Sequence, residues 1–271
     1  MKSKRIALFI AALTLTATLV MGTVAMTTCG GTKTIVLNGS TSMEKVINNL
    51  MNAYMEDHED VRITYSATGS GAGITAAKEG TADMGLASRD LKPEDGTDVT
   101  ATPIAIDAVA IIADADNAIT NVTTDQLNAL FVNGTAIADT TITHGVGRDS
   151  ASGTRECFDD AIGIDTDYDQ SAQQLSSNNA VVKAVTGDAT ALGYVSLDSV
   201  TSDVKIVAYN GVVASSEAVV DGTYTLKRNF NLILPAGGYD ALSDVAKDFY
   251  DFCLSEEGQE IVVASGNVAV K

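Results

Sequence analysis

Three short stretches of the 271-residue sequence combine glycine with hydroxyl side chains: Gly39-Ser40-Thr41-Ser42, Gly69-Ser70-Gly71 and Ser152-Gly153-Thr154. Each stands where a strand-like run hands over to a helix-like one. The first turn of a helix leaves N–H groups without an intrahelical acceptor, and the aligned peptide dipoles place about half a positive charge there. Glycine lets a ligand approach the backbone, and hydroxyls add further donors. Together these groups suit a tetrahedral anion such as phosphate or sulfate. Ser and Thr at such positions most often serve as helix N-caps, and Thr41 with Glu44 matches a capping box. Three such turns in one chain, with Arg148 four residues ahead of Ser152, favour an anion site over caps alone.

Other chemistries fit less well. Gly69-Ser-Gly-Ala-Gly73 lacks the Lys-Ser/Thr of a Walker A loop and does not give GxGxxG, which argues against nucleotide binding. Ala151-Ser152-Gly153 is not a GxSxG elbow. The sequence holds two histidines, His58 and His144, which is little material for a triad or for metal hydrolysis. There is no CxxC or CxxH, so a zinc site is not expected. No catalysis and no cofactor are expected. Cys157 and Cys253 read as small core residues, and whether they pair is open.

Strand-like and helix-like segments must position the turns, and they alternate through the chain. Thr34–Leu37, Val61–Tyr65, Met84–Ala87, Pro103–Ala113, Thr141–Val146, Leu192–Leu197 and Phe230–Pro235 read as strands. A helix presents Met43, Val46, Ile47, Leu50, Met51 and Tyr54 on one face, with the 3.6-residue period. Further helices follow Ala67-Thr-Gly-Ser-Gly-Ala-Gly73, span Thr123–Phe131, and carry Cys157, Phe158, Ala161 and Ile162. Others cover Asn179–Val185 and the two segments around Leu242–Phe252 and Glu257–Val263. This alternation predicts an α/β fold with mostly parallel sheets. Ligands of such folds gather at the carboxyl ends of strands, where all three turns fall.

With 17 Lys+Arg against 35 Asp+Glu, a net charge of −18 and 45% hydrophobic residues, the chain is a folded, acidic protein. That charge argues against nucleic acid or an anionic membrane surface as partner. Taken alone it would suggest a cationic ligand. The turns outweigh it, because surface charge is screened within about 10 Å at moderate salt. The N-terminus has Lys2, Lys4 and Arg5, then the apolar run Ile6–Met26, with no acidic residue before Glu44. This layout predicts a signal peptide over 1–28, with a membrane span as the competing reading. Thr28-Cys29-Gly30-Gly31 is similar to a bacterial lipobox, in which Cys29 is lipidated, although Met26-Thr27-Thr28 departs from the usual pattern. Either way the folded part is expected outside the cytoplasm.

In order and spacing, the three turns together with other segments of the chain resemble one family: the phosphate-binding lipoproteins of bacterial phosphate ABC importers, of the Gram-positive type. The marks are Gly39-Ser-Thr-Ser42, Gly69-Ser-Gly-Ala-Gly-Ile74, Asp83-Met-Gly-Leu-Ala-Ser-Arg-Asp-Leu91, Pro103-Ile-Ala-Ile-Asp107, Thr124-Asp-Gln-Leu127, Arg148-Asp-Ser-Ala-Ser-Gly-Thr-Arg155, Ala191-Leu-Gly-Tyr-Val195 and Leu254-Ser-Glu-Glu-Gly-Gln259. The resemblance covers essentially all of the chain after the leader. It implies a two-lobed periplasmic-binding-protein-like fold of type II with two crossing hinge strands, Pro103–Ala113 and a return near Tyr224–Leu234. Residues 35–106 and 230–271 would form lobe I, 107–229 lobe II, and 29–34 a lipidated linker.

The resemblance also implies roles. Ser40, Thr41 and Ser42 would hold one side of the ion, with Ser70 reaching from the second turn. Arg148, Ser152, Gly153 and Thr154 would close from the other lobe. Many family members carry an aspartate that accepts a proton-bearing phosphate oxygen, and here Ser88 aligns with it. Asp107 or Asp90 would then be the substitute acceptor. Arg89 is either a second charge on the ion or a surface salt-bridge partner. The implied partners are inorganic phosphate, the permease and ATPase subunits of the importer, and the membrane through a lipid anchor, with the receptor a monomer on the extracytoplasmic face. Three alternatives stay open: another oxyanion (sulfate, molybdate or a phosphonate), a phosphoester hydrolase using Ser152 or Thr41, and a surface adhesin or purely structural lipoprotein.

Overall fold

The computed structural model describes residues 31–271. The leader 1–28, Cys29 and Gly30 lie outside the described residues. In chain order the elements are β1 (Lys33–Gly39), α1 (Glu44–Asp57), β2 (Val61–Ala67), α2 (Ser70–Glu79), β3 (Met84–Ala87), β4 (Thr100–Asp114), β5 (Asn121–Val122), α3 (Thr124–Asn133), β6 (His144–Arg148), α4 (Gly153–Ile162), β7 (Gln173–Leu175), α5 (Asn178–Val185), β8 (Ala191–Ser196), β9 (Val204–Tyr209), α6 (Ser216–Val220), β10 (Lys227–Leu234), α7 (Asp244–Cys253) and α8 (Glu256–Ala264).

Two crossing strands join two sheets. One sheet runs β2-β1-β3-β10-β4, and the other continues from β4 through β8 and β6 to β7, with β9 also on β4. The 15 residues of β4 serve both: Thr100–Ala108 pair with β10, and Val109–Asp114 with β8 and β9. The two sheets repeat one scheme. β1 is flanked in parallel by β2 and β3, and β6 by β7 and β8. The expectation of mostly parallel sheets needs correction. β10 is antiparallel to β3 and β4, and β4 is antiparallel to β8 and β9. Strands that carry the chain across and back must oppose each other, so the middle of the fold is mixed. The register slips between Phe230 and Asn231, where Asn231 faces Pro103. Proline has no N–H for the ladder, and a bulge absorbs the missing bond.

Each sheet buries its own core. Ile35, Leu37, Ile47, Leu50, Met84, Phe230, Leu232 and Phe249 belong to the first. Ile111, Leu127, Phe131, Val146, Phe158, Val181, Leu192 and Tyr194 belong to the second. The periodic face of α1 is buried as its spacing requires: Val46, Ile47, Leu50, Met51 and Tyr54. Cys253 lies in the first core, Cys157 packs against the second, and both are free thiols. The strand expected over Thr141–Val146 starts later, at His144. Thr141 Oγ1 instead donates to Ala189 O at 2.5 Å, and Ile137 N–H to Ile142 O at 3.0 Å, which ties these residues into a turn. The shift puts Arg148 at the carboxyl end of β6.

Candidate functional site

The first turn follows β1. Gly39 has φ +143°, and a Cβ there would lie 2.1 Å from Leu86 O, so only glycine fits. Its carbonyl accepts from Thr68 N–H and Gly69 N–H at 2.8 and 2.9 Å, which binds the first turn to the second. Ser40 Oγ accepts from Ser42 N–H at 3.2 Å and caps a short 3-10 turn. At the second turn Gly69 precedes α2, and Ser70 Oγ accepts from Ser88 N–H at 3.0 Å and lies 3.1 Å from Ser88 Oγ. At the third, Ser152 Oγ caps α4 by accepting from Thr154 N–H and Arg155 N–H at 3.2 and 3.3 Å.

These turns meet one another. Ser42 Oγ and Thr154 Oγ1 are 2.6 Å apart. A Cβ on Gly153 would lie 2.6 Å from Ser70 Oγ and 2.8 Å from Ser88 Oγ. Arg148 sits in the middle, 1% exposed. Its Nη2 donates to Thr41 Oγ1 and Ser176 O, both at 2.9 Å. Its Nη1 donates to Asn178 Oδ1 at 3.0 Å and Thr154 Oγ1 at 3.4 Å, and Nε to Leu175 O at 3.1 Å. Every one of these acceptors is neutral. Burial pulls the guanidinium down to about 10, and it stays cationic at neutral pH. A buried cation with only neutral partners is costly unless an anion joins it.

The structure brings together Thr41, Ser42, Ser70, Ser88, Arg148, Gly153 and Thr154. Ser40 and Ser152 are in the same turns, with their side chains turned to backbone N–H groups as caps. Each cap oxygen still has its own proton to donate. Arg89 is not in the cluster: its guanidinium holds Asp95 Oδ2 and Oδ1 at 2.6 and 2.8 Å, and its Nε lies 2.7 Å from Glu156 Oε2. Asp90 is turned away, its Oδ1 accepting from Asn229 at 3.0 Å. Asp107 lies one step behind Ser88. Arg228 Nε and Nη2 donate to Asp107 Oδ2 at 3.1 and 2.8 Å, and Nη1 to Ser88 Oγ at 3.3 Å. Burial pushes the Asp107 carboxyl up to about 7 against the pull of Arg228.

Sequence reasoning missed Arg228, Asn178 and Ser176. Asn178 Nδ2 donates to Ser42 Oγ at 3.1 Å. It opens α5 in a fourth strand-to-helix turn, where Ser177 Oγ caps the helix by accepting from Ala180 N–H at 3.1 Å. The signal was the run Ser176-Ser177-Asn178-Asn179, but the preceding strand Gln173–Leu175 is too short and polar to read as one. Nothing local marked Arg228, because only the pairing of β10 with β4 places it opposite Asp107.

The arrangement can bind an anion through many donors. It has little to do chemistry with: His144 is at the start of β6, at the end opposite Arg148, with Nε2 3.6 Å from Asp188. Among the described residues no group of three or more His, Cys, Asp or Glu is placed to hold a metal.

Comparison with known proteins gives a consistent picture. The model of the PBP superfamily domain matches residues 26–257. A Clostridium perfringens structure described as a phosphate ABC transporter substrate-binding protein with bound phosphate is 31% identical, with a TM-score of 0.83, over 88% of this chain and 100% of that one. The phosphate-binding protein PstS of Borreliella burgdorferi is 26% identical over 258 residues, 88% of this chain and 91% of that protein. The phosphate-binding protein PstS 2 of Streptococcus pneumoniae is 36% identical over 134 residues, a match that spans 45% of that relative's length.

Proposed function

The chain belongs to the PBP superfamily and has its two-lobed α/β fold, and from that premise we propose that it captures inorganic phosphate between two lobes and delivers it to an ABC permease. The observation that carries this reading is Arg148: a buried guanidinium whose hydrogen bonds all go to neutral acceptors. Phosphate would supply the missing negative charge. The ligands in this reading are Ser40, Thr41, Ser42, Ser70, Ser88, Arg148, Ser152, Gly153 and Thr154, with Arg228 supporting Ser88. The lobes are 35–106 with 230–271, and 107–229.

The mechanism is capture rather than catalysis. With the lobes apart, phosphate meets the turns of one lobe. Closure brings the other lobe's donors onto it and excludes water, which strengthens each charge-assisted bond. The ligand drives closure because it contacts more donors in the closed state. The closed receptor is what the permease, with its ATPase subunits, recognises. The receptor acts as a monomer outside the cytoplasm, held to the membrane by a lipid on Cys29 after removal of residues 1–28. Among the described residues no helix is long and apolar enough to cross a membrane.

Titration calorimetry tests this. Phosphate should bind one to one, and at 100 times its Kd it should stabilise the protein by about 2.7 kcal/mol. Absence of both heat and thermal shift would overturn the reading. A second reading keeps the site and changes the ion to sulfate, molybdate or a phosphonate. It is favoured by one observation: Ser88 Oγ, not a carboxylate, faces Ser70, and it accepts from Arg228. A hydroxyl rejects a proton-free anion less strongly than a carboxylate does. Sulfate competing with phosphate at comparable concentration would support it.

A further inference from the structure

Arg89 and Glu156 are charged, largely buried and not used by the anion site. Arg89 follows Ser88 in the segment between β3 and β4, which belongs with the first sheet. Glu156 stands in the first turn of α4, two residues after Thr154, and α4 packs Phe158 and Ile162 into the second core. The ion pair between them therefore spans the two halves. Arg89 Nε lies 2.7 Å from Glu156 Oε2, with the two side chains 12% and 23% exposed. Lys92 Nζ, from the same segment as Arg89, contacts Glu156 Oε1.

The geometry of the first half is prepared for this contact. Asp95 grips both Nη atoms of Arg89 at 2.6 and 2.8 Å, and Asp95 Oδ2 also accepts from Lys92 N–H at 2.8 Å. That brace fixes the Arg89 fork and leaves Nε aimed outward. The Asp95 and Glu156 carboxylates hold the Arg89 guanidinium above its ordinary range. Asp160, four residues after Glu156, adds a weaker contact to Lys92 at 4.0 Å.

We propose that Glu156 is a latch: a positioning residue that contacts no ligand but sets the affinity and residence time of the anion by holding the closed arrangement through Arg89 and Lys92. The proposal rests on the anion-receptor reading. Its physical basis is that the Arg89–Asp95 pair exists whether the halves are together or apart, whereas the contacts to Glu156 exist only when they meet. An interaction confined to one of two states shifts the equilibrium by its full worth. Its neighbours make the shift local: closing Arg89 on Glu156 brings Ser88 and Ser70 against Gly153.

The test is a double-mutant cycle with Glu156→Gln, Arg89→Gln and both together, read by inorganic phosphate binding and by small-angle scattering of the ligand-free protein at low and high salt. Glu156→Gln should raise Kd about tenfold, equivalent to about 1.4 kcal/mol, mostly through a faster off-rate. The double variant should bind no more weakly than the worse single one, and the salt sensitivity of wild-type binding should largely disappear. Kd within twofold of wild type for Glu156→Gln, or strictly additive losses, would overturn the latch. Failure of the wild type to bind phosphate, with Glu156-dependent compaction still seen at low salt, would overturn the phosphate reading and leave the latch standing.

Discussion

Arg148 Nη2 donates to Thr41 Oγ1 at 2.9 Å across 107 residues of sequence. The bond joins the carboxyl end of β6 to the turn after β1, so it links the two sheets through the site itself.

Replacing Arg148 by Ala should weaken phosphate binding by about 2–5 kcal/mol, the usual range for removing one partner of a buried charge contact. Calorimetry measures this directly. Near-wild-type affinity would remove Arg148 from the site. The ligand-free melting temperature should fall far less, because the substitution also removes a buried charge whose hydrogen-bond acceptors are all neutral.

Ser152→Asp separates folding from binding. Aspartate is as good an N-cap as serine, and it can accept the same Thr154 and Arg155 N–H groups. Ligand-free stability should therefore stay within about 1 kcal/mol. Phosphate should no longer raise the melting temperature, because a carboxylate now faces a dianion. A retained shift would place the ion elsewhere.

Two glycines should respond differently to alanine. At Gly39 the new Cβ would meet Leu86 O at 2.1 Å, with φ +143°. Gly39→Ala should cost several kcal/mol of stability, roughly the strain of a forbidden backbone plus a steric clash. At Gly153 the nearest atoms are the hydroxyls of Ser70 and Ser88, at 2.6 and 2.8 Å, followed by the Ser88 backbone carbon at 3.1 Å. Gly153→Ala should leave ligand-free unfolding nearly unchanged and weaken phosphate at least tenfold, by propping the turns apart. Chemical denaturation and calorimetry together check both.

Asp107 should leave a pH signature. Its carboxyl rises from 3.8 to about 7 on folding, chiefly through burial. Between these values the native state holds more protons at this group than the unfolded state. Its contribution to stability is thus greatest below about pH 4, declines as pH rises, and levels off above about pH 7. The stability of the wild type minus that of Asp107→Asn, followed by denaturant titration, should fall over this window. A difference that is flat, or that rises with pH, would contradict this assignment.

Much of the candidate site was legible because its chemistry is local. Gly39, Gly69 and the hydroxyls beside them belong to strand-to-helix turns, and a turn is specified within a few residues. Arg148 was legible for the same reason, standing four residues from a cap. The fourth turn escaped notice because β7 has only three residues and two of them are glutamines, so no apolar run announced it. The strand β9 (Val204–Tyr209) was likewise not anticipated.

By itself, then, the sequence determined the α/β alternation and the three donor-rich turns whose residue types suit an anion. Those are matters of period and of residue type at fixed short spacing. Only the tertiary structure decided which charges stand at the candidate site. Arg89 and Arg228 look alike along the chain. One is drawn to Asp95 and Glu156, and the other is set beside Ser88 by Asp107. The partners that decide between them sit on different elements, and each of these two arginines is held where a carboxylate pairs its charge.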